Sequence, residues 1–110
     1  MEINEQIDVI VAALEEKKAL DIAVYDISKV SSLCDFFIVA TGNNRNQMQA
    51  LADNVSVKLA DKGIVDKKSE GYDSRSWILA DYKDFMVHIF NPESRSFYNL
   101  DRMWKDTKVN

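Results

Sequence analysis

The sequence predicts an α/β fold of the α+β kind, a mixed β-sheet flanked by helices. Three observations carry that prediction. Apolar periodicity alternates between the helical and the strand period, in the order helix, strand, strand, helix, strand, strand, helix. The run Phe36-Phe37-Ile38-Val39-Ala40 is apolar on both faces, as expected at the centre of a sheet. Two short apolar runs, Ser76 to Ala80 and Phe85 to Phe90, are separated only by Asp81-Tyr82-Lys83-Asp84, which reads as a hairpin.

Taken in order, Ile3, Ile7, Ile10, Val11 and Leu14 recur at helical spacing and predict a helix over residues 4 to 18. Asn4 is its expected N-cap, and Lys17 and Lys18 suit its negative end. Leu20 to Ile27 reads as a strand with Leu20, Ile22, Val24 and Asp26 on one side, and Asp35 to Thr41 as a second strand. Gly42-Asn43-Asn44 then breaks the chain and caps a helix with the apolar stripe Met48, Leu51, Ala52, Val55 and Leu59. Gly63 stands where a helix needs a left-handed terminator. Ile64 to Gly71 is a polar connection with room for a short edge strand. Asn91 and Pro92 start a last helical segment, proline taking the first position, where its missing N–H costs nothing. Phe97, Leu100 and Trp104 are expected to pack back on the sheet.

The hairpin sorts its side chains most sharply. With Tyr82-Lys83 at the tip, Asp81 opposes Asp84, Leu79 opposes Met86 and Trp77 opposes His88. One face is plain core: Ile78, Ala80, Phe85, Val87 and Ile89. The other carries Trp77, Leu79, Asp81, Asp84, Met86, His88 and Phe90, an aromatic and sulfur-bearing surface rimmed by carboxylates. Aromatics and Met inside a polar rim are the composition of a protein interface. The sequence leaves open whether this face meets a partner or lies beneath a helix of the chain itself.

Composition narrows the function classes. The 110 residues suit one domain, residues 1 to 110, with 46% hydrophobic and 29% charged residues. No apolar run approaches the ~20 residues of a membrane span. The start, Met1-Glu2-Ile3-Asn4-Glu5, is acidic and lacks an apolar stretch, so neither a secretory signal nor a transit peptide is expected. The single cysteine, Cys34, cannot form an internal disulfide, which fits a reducing cytoplasm. Eighteen acidic against 14 basic residues give a net charge of -4. With no basic cluster beyond Lys67-Lys68, direct nucleic-acid binding is not expected, and the charge balance is compatible with a basic protein as partner.

Asp81, Asp84 and His88 are the constellation closest to an active site. They could serve a nucleotide- or metal-dependent transferase, yet aspartates beside a tight turn ordinarily cap backbone amides. In the hairpin register His88 is too far from the carboxylates to share a ligand, so no metal site, cofactor or catalytic residue is assigned. Stacking of His88 on Trp77 is its plainer role, and Cys34 is read as a small buried residue. Thr41-Gly42-Asn43-Asn44 has one glycine and no Gly-Lys-Ser/Thr ending, so it is a helix cap rather than a phosphate loop.

Several stretches together resemble the Iojap-related ribosomal silencing factors. They are Asp35 to Asn43 with Arg45 and Gln47, Glu70-Gly71, Trp77 to Asp84, Val87 to Phe90, and Arg95 with Phe97, Tyr98, Leu100 and Trp104. The resemblance spans residues 5 to 105. It implies a nucleotidyltransferase-like fold without that superfamily's catalytic apparatus, and a non-enzymatic role. The expected partner is the large ribosomal subunit, bound through its universal protein fourteen so that the small subunit cannot join and translation falls under nutrient limitation. Carried over, the contact residues are Glu70, Tyr72, Trp77, Leu79, Asp81, Asp84, Met86 and His88. Self-association into a homodimer when free of the ribosome is a further implication. Lys83 stands where the family often has glycine, which argues against a turn needing positive φ there.

Overall fold

The computed structural model describes residues 2–65 and 68–109. Helix α1 runs Ile3–Glu16 and buries Ile7, Ile10 and Leu14 of the predicted stripe together with Ala13, while Ile3 and Val11 pack against the core only partly buried. Its start is earlier than the sequence predicts. Glu2 occupies the cap position without a side-chain bond, and Asn4 lies inside the helix. Its end is earlier too, because Lys18 adopts left-handed backbone (φ 64°) and the Ala19 N–H turns back to the Leu14 carbonyl at 3.0 Å. The carbonyls of Lys17 and Lys18 instead accept from Gln47 Nε2 (3.3 and 3.0 Å). A side chain of the next helix thus satisfies groups that a helix end leaves bare.

Strand β1 (Leu20–Asp26) pairs antiparallel with β2 (Phe36–Thr41). The register shifts between Leu20 and Ala23, and Asp21 has φ 50°. Ile22 and Val24 face the helices as predicted, but the irregularity leaves Leu20 exposed. Helix α2 (Arg45–Ala60) is capped as expected: Asn44 Oδ1 accepts the Gln47 N–H at 2.8 Å, and Gln47 Oε1 accepts the Asn43 N–H at 2.7 Å. Gly63 closes it at φ 79°, with the Ile64 N–H bonded back to the Leu59 carbonyl at 2.9 Å.

Strands β3 (Lys68–Glu70), β4 (Trp77–Asp81) and β5 (Phe85–Phe90) complete a five-stranded sheet of order β1-β2-β5-β4-β3. Among the described strands β2 and β5 pair parallel, and the other neighbours pair antiparallel. The mixed sheet with helices agrees with the predicted fold class. Of the Lys67-Lys68 pair, Lys67 lies outside the described residues, and Lys68 is an exposed residue of the edge strand.

Helices α1 and α2 cover one sheet face. Their buried stripes meet Val24, Ile38, Ala40, Ile78, Ala80, Phe85, Val87 and Ile89 in the larger core cluster. Each large aliphatic side chain sealed there stabilises by roughly 1.5–3 kcal/mol. The opposite face carries Ala23, Tyr25, Phe37, Val39 and Phe90 and is roofed by the C-terminal segment.

In that segment the sequence reading holds only in part. It is two short helices, α3 (Pro92–Tyr98) and α4 (Leu100–Met103), followed by a 3₁₀ turn at Lys105–Thr107. Asn91 caps α3 with Pro92 in its first turn, as expected. Asn99 then takes left-handed backbone (φ 48°) and breaks the helix. The break resets the helical phase. Leu100 and Trp104 pack on the sheet, whereas Phe97 is 80% exposed. Among the described residues no helix is long and apolar enough to cross a membrane.

Candidate docking face on the outer strands

The hairpin forms, in a register two residues from the predicted one. Trp77 pairs with Phe90, Leu79 with His88, Ala80 with Val87 and Asp81 with Met86. The closing pair is Tyr82 and Phe85, whose rings stack at 5.2 Å, so the tip is Lys83-Asp84 rather than Tyr82-Lys83. Burying that aromatic pair under α2, instead of leaving Tyr82 at a solvated tip, is the physical reason for the shift. Lys83 has φ 78°, against the expectation from its side chain. Two anchors hold it there. Asp81 Oδ1 accepts the Lys83 N–H at 2.8 Å, and the Asp84 carbonyl accepts from the N–H groups of Asp35 and Phe36 (2.8 and 3.2 Å). A slip of two residues preserves which face each side chain occupies, so the predicted sorting survives the error.

Lys68 and Glu70 of β3, Trp77, Leu79 and Asp81 of β4, and Met86, His88 and Phe90 of β5 therefore share the face away from α1 and α2. The C-terminal segment divides this face. Phe90 is fully buried and His88 is 4% exposed, while Trp77, Leu79, Asp81 and Met86 are half-buried and Glu70 and Asp84 exposed. Trp77 is clasped on one side by Tyr98 (ring centroids 4.8 Å) and Phe90 (5.0 Å). What remains open is a strip of Trp77, Leu79 and Met86, fringed by Glu70, Asp81 and Asp84.

The clasp is held by a polar network. The Arg95 guanidinium donates through Nε and a terminal nitrogen to both carboxylate oxygens of Asp101 (2.6 and 2.8 Å), and through its other nitrogen to Thr41 Oγ1 (2.9 Å). The Tyr25 hydroxyl donates to Asp101 as well. Burial pushes the Tyr25 hydroxyl well above the ordinary tyrosine range, and the Asp101 carboxylate beside it pushes the same way. For Asp101, burial works upward, but the hydrogen bonds from Arg95 and Tyr25 outweigh it and hold the carboxyl below its usual range. One end of the segment is thereby fixed to β1 and β2, and Val109 adds a backbone bond to the Val24 carbonyl at 2.8 Å.

His88 is not at the surface. Its Nδ1 accepts from Trp77 Nε1 at 3.2 Å, its ring packs edge-on to Phe37 at 4.5 Å, and its Nε2 is buried without a hydrogen-bond partner among the described residues. Burial lowers its pKa to about 4, so the imidazole is neutral at physiological pH. The expected contact with Trp77 is present, and the role it gives His88 is to aim the indole. Tyr72 sits elsewhere. Its hydroxyl donates to Asp53 Oδ2 at 2.9 Å, which places it beside α2 rather than beside Trp77. Gly71 (φ 75°) links the two regions, and a Cβ there would stand 2.3 Å from the Trp77 carbonyl oxygen.

As chemistry, the acidic constellation is dispersed. Asp81 caps its turn, and His88 is sealed against Trp77. Among the described residues no three of His, Cys, Asp and Glu converge to hold a metal ion. Cys34 is buried, its thiol donates to the Phe36 carbonyl at 3.3 Å, and burial pushes its pKa up to about 11. Sequence reasoning quoted Tyr98 and Arg95 only as part of the family resemblance, and missed the contact of Tyr98 with Trp77 and the pairing of Arg95 with Asp101. The signal available for the pair was an arginine and an aspartate six residues apart across Asn99, a residue that tolerates left-handed backbone.

All 110 residues match the family model described as ribosomal silencing factor during starvation. The chain belongs to that family. It is 38% identical over 98 residues to the ribosomal silencing factor of Bacillus subtilis, covering 89% of this chain and 83% of the relative. A crystal structure from Chromobacterium violaceum superposes with TM-score 0.92 at 41% identity, over 96% of this chain and 88% of that one. One from Bacillus halodurans gives TM-score 0.85 at 33% identity, over 97% and 98%. The resemblance noted from the sequence is thus confirmed, and the silencing-factor fold is the one described above.

Proposed function

We propose that this silencing factor represses translation by docking on the large ribosomal subunit through its universal protein fourteen, where its bulk keeps the small subunit from joining. Membership of a family described as acting during starvation supports the ribosome as target and nutrient limitation as the occasion. The observation that carries the choice of face is the open strip Trp77-Leu79-Met86, left uncovered by the chain's own C-terminal segment and fringed by Glu70, Asp81 and Asp84. Apolar surface of this kind gains free energy when a partner covers it, and an acidic fringe steers a basic partner into register.

In this reading the contact residues are Glu70, Trp77, Leu79, Asp81, Asp84 and Met86. His88 acts from behind by holding Trp77, and Tyr72 by fixing the loop before β4. The mechanism is steric and needs no catalytic step and no cofactor. Its site of action is the cytoplasm, and off the ribosome the same strip pairs two copies of the chain.

Light scattering by purified subunits tests it. Large subunits saturated with the protein should fail to form whole ribosomes when small subunits are added. Association at the full rate would refute the proposal.

A further inference from the structure

Beside the open strip lies a cavity of about 270 Å³, lined by Glu70, Gly71, Trp77 and Leu79. Strand pairing builds it, since Glu70 stands directly across from Leu79 and both project on the outer face. Gly71 adds no side chain, and it cannot carry one, because the Trp77 carbonyl oxygen occupies the place of a Cβ. The lining thus combines an indole, a branched aliphatic side chain and one exposed carboxylate. An apolar ligand would draw water from the Glu70 carboxylate and offer it nothing in return, and an anion would meet that carboxylate in a chain of net charge -4.

The geometry points to this cavity as the receptor for a single arginine side chain presented by the basic partner. A guanidinium stacks on aromatic surface, is weakly hydrated, and pairs with a carboxylate through its planar fork, while its stem covers aliphatic surface. Lys68 already shows the preference of the rim for a cation: its Nζ lies 2.8 Å from Glu70 Oε1. Both members of that pair are more than half exposed, so it is weak and exchanges readily for an incoming guanidinium. The inference rests on the docking reading, and it supplies the anchor: one buried side chain at the centre of an otherwise adaptable contact.

Two arms test it separately from that reading. In the first, the protein alone is titrated with N-acetyl-arginine amide and with N-acetyl-citrulline amide, which has the same shape without the charge. The Trp77 indole and the Glu70 and Leu79 amide resonances are followed by NMR. The arginine probe should move them to saturation, citrulline should move them far less, and Glu70→Gln should abolish the response. In the second arm, Glu70→Gln should weaken binding to purified large subunits about tenfold and flatten its salt dependence.

Equal responses to the two probes, or an arginine response that survives Glu70→Gln, overturn the arginine receptor even if wild type binds large subunits. Unchanged large-subunit binding by Glu70→Gln likewise removes the receptor from the contact. An arginine response in a protein that ignores large subunits upholds the receptor and overturns the docking reading alone.

Discussion

The indole N–H of Trp77 donates to Nδ1 of His88 at 3.2 Å, across the hairpin and one pair removed from direct opposition. Trp77 is therefore both a candidate contact residue and a structural one. Trp77→Ala should empty the space against Phe90 and Tyr98 and leave His88 with neither ring nitrogen bonded. We expect a loss of about 3 kcal/mol in urea denaturation. A stability within 1 kcal/mol of wild type would show that the pair is dispensable.

The same pair sets a pH dependence. His88 has a pKa of about 4 when folded, below the ordinary 6.5. The unfolded chain therefore binds the extra proton first as pH falls. Stability contributed by His88 is complete above pH 6.5 and is lost between 6.5 and 4, by on the order of 3 kcal/mol. Urea midpoints measured from pH 7 to 4 should fall more steeply for wild type than for His88→Gln. Parallel curves would contradict a buried neutral imidazole.

Lys83 stores strain at the hairpin tip, with φ 78° and an exposed side chain. Glycine adopts that backbone freely, so Lys83→Gly should stabilise by about 0.5–1 kcal/mol after its larger chain entropy is set against the relief. A thermal melt reads the sign. Destabilisation would mean that the lysine stem is doing packing work on the hairpin.

The Arg95–Asp101 pair fixes the C-terminal clasp to the sheet. Asp101→Asn removes the charge that Arg95 faces with only 14% of its side chain exposed, and should cost about 2 kcal/mol. Hydrogen exchange should quicken across 92–109 while the α1 and α2 amides stay protected. Uniform protection would mean that packing of Leu100 and Trp104 alone holds the segment.

The central features were legible because they follow from local periodicity. The α1 and α2 stripes, the Asn44 and Asn91 caps, the Gly63 terminator and the two-faced hairpin all appear as read. What misled was tertiary. Tyr82 and Phe85 gain more by stacking under α2 than a solvated tip would give, and that slid the hairpin register by two residues. A residue-long break at Asn99 turned Phe97 outward, and no periodicity records a break. The candidate face was legible as a face, but its division into sealed His88 and Phe90 and open Leu79 and Met86 depends on where the C-terminal segment lands. Tyr72 was misplaced for a similar reason, since its bond to Asp53 spans 19 residues.

The most direct test of the account replaces the two open residues that hold no internal bond network. Leu79→Lys and Met86→Lys put cations where a basic partner would dock, and their long stems can reach solvent without unfolding the sheet. Val57→Lys, on the exposed side of α2, is the control. In co-sedimentation with purified large ribosomal subunits, both face variants should lose binding by at least about tenfold, with folded near-UV spectra and an unaffected control. Wild-type binding by both folded face variants would contradict the assignment of this face.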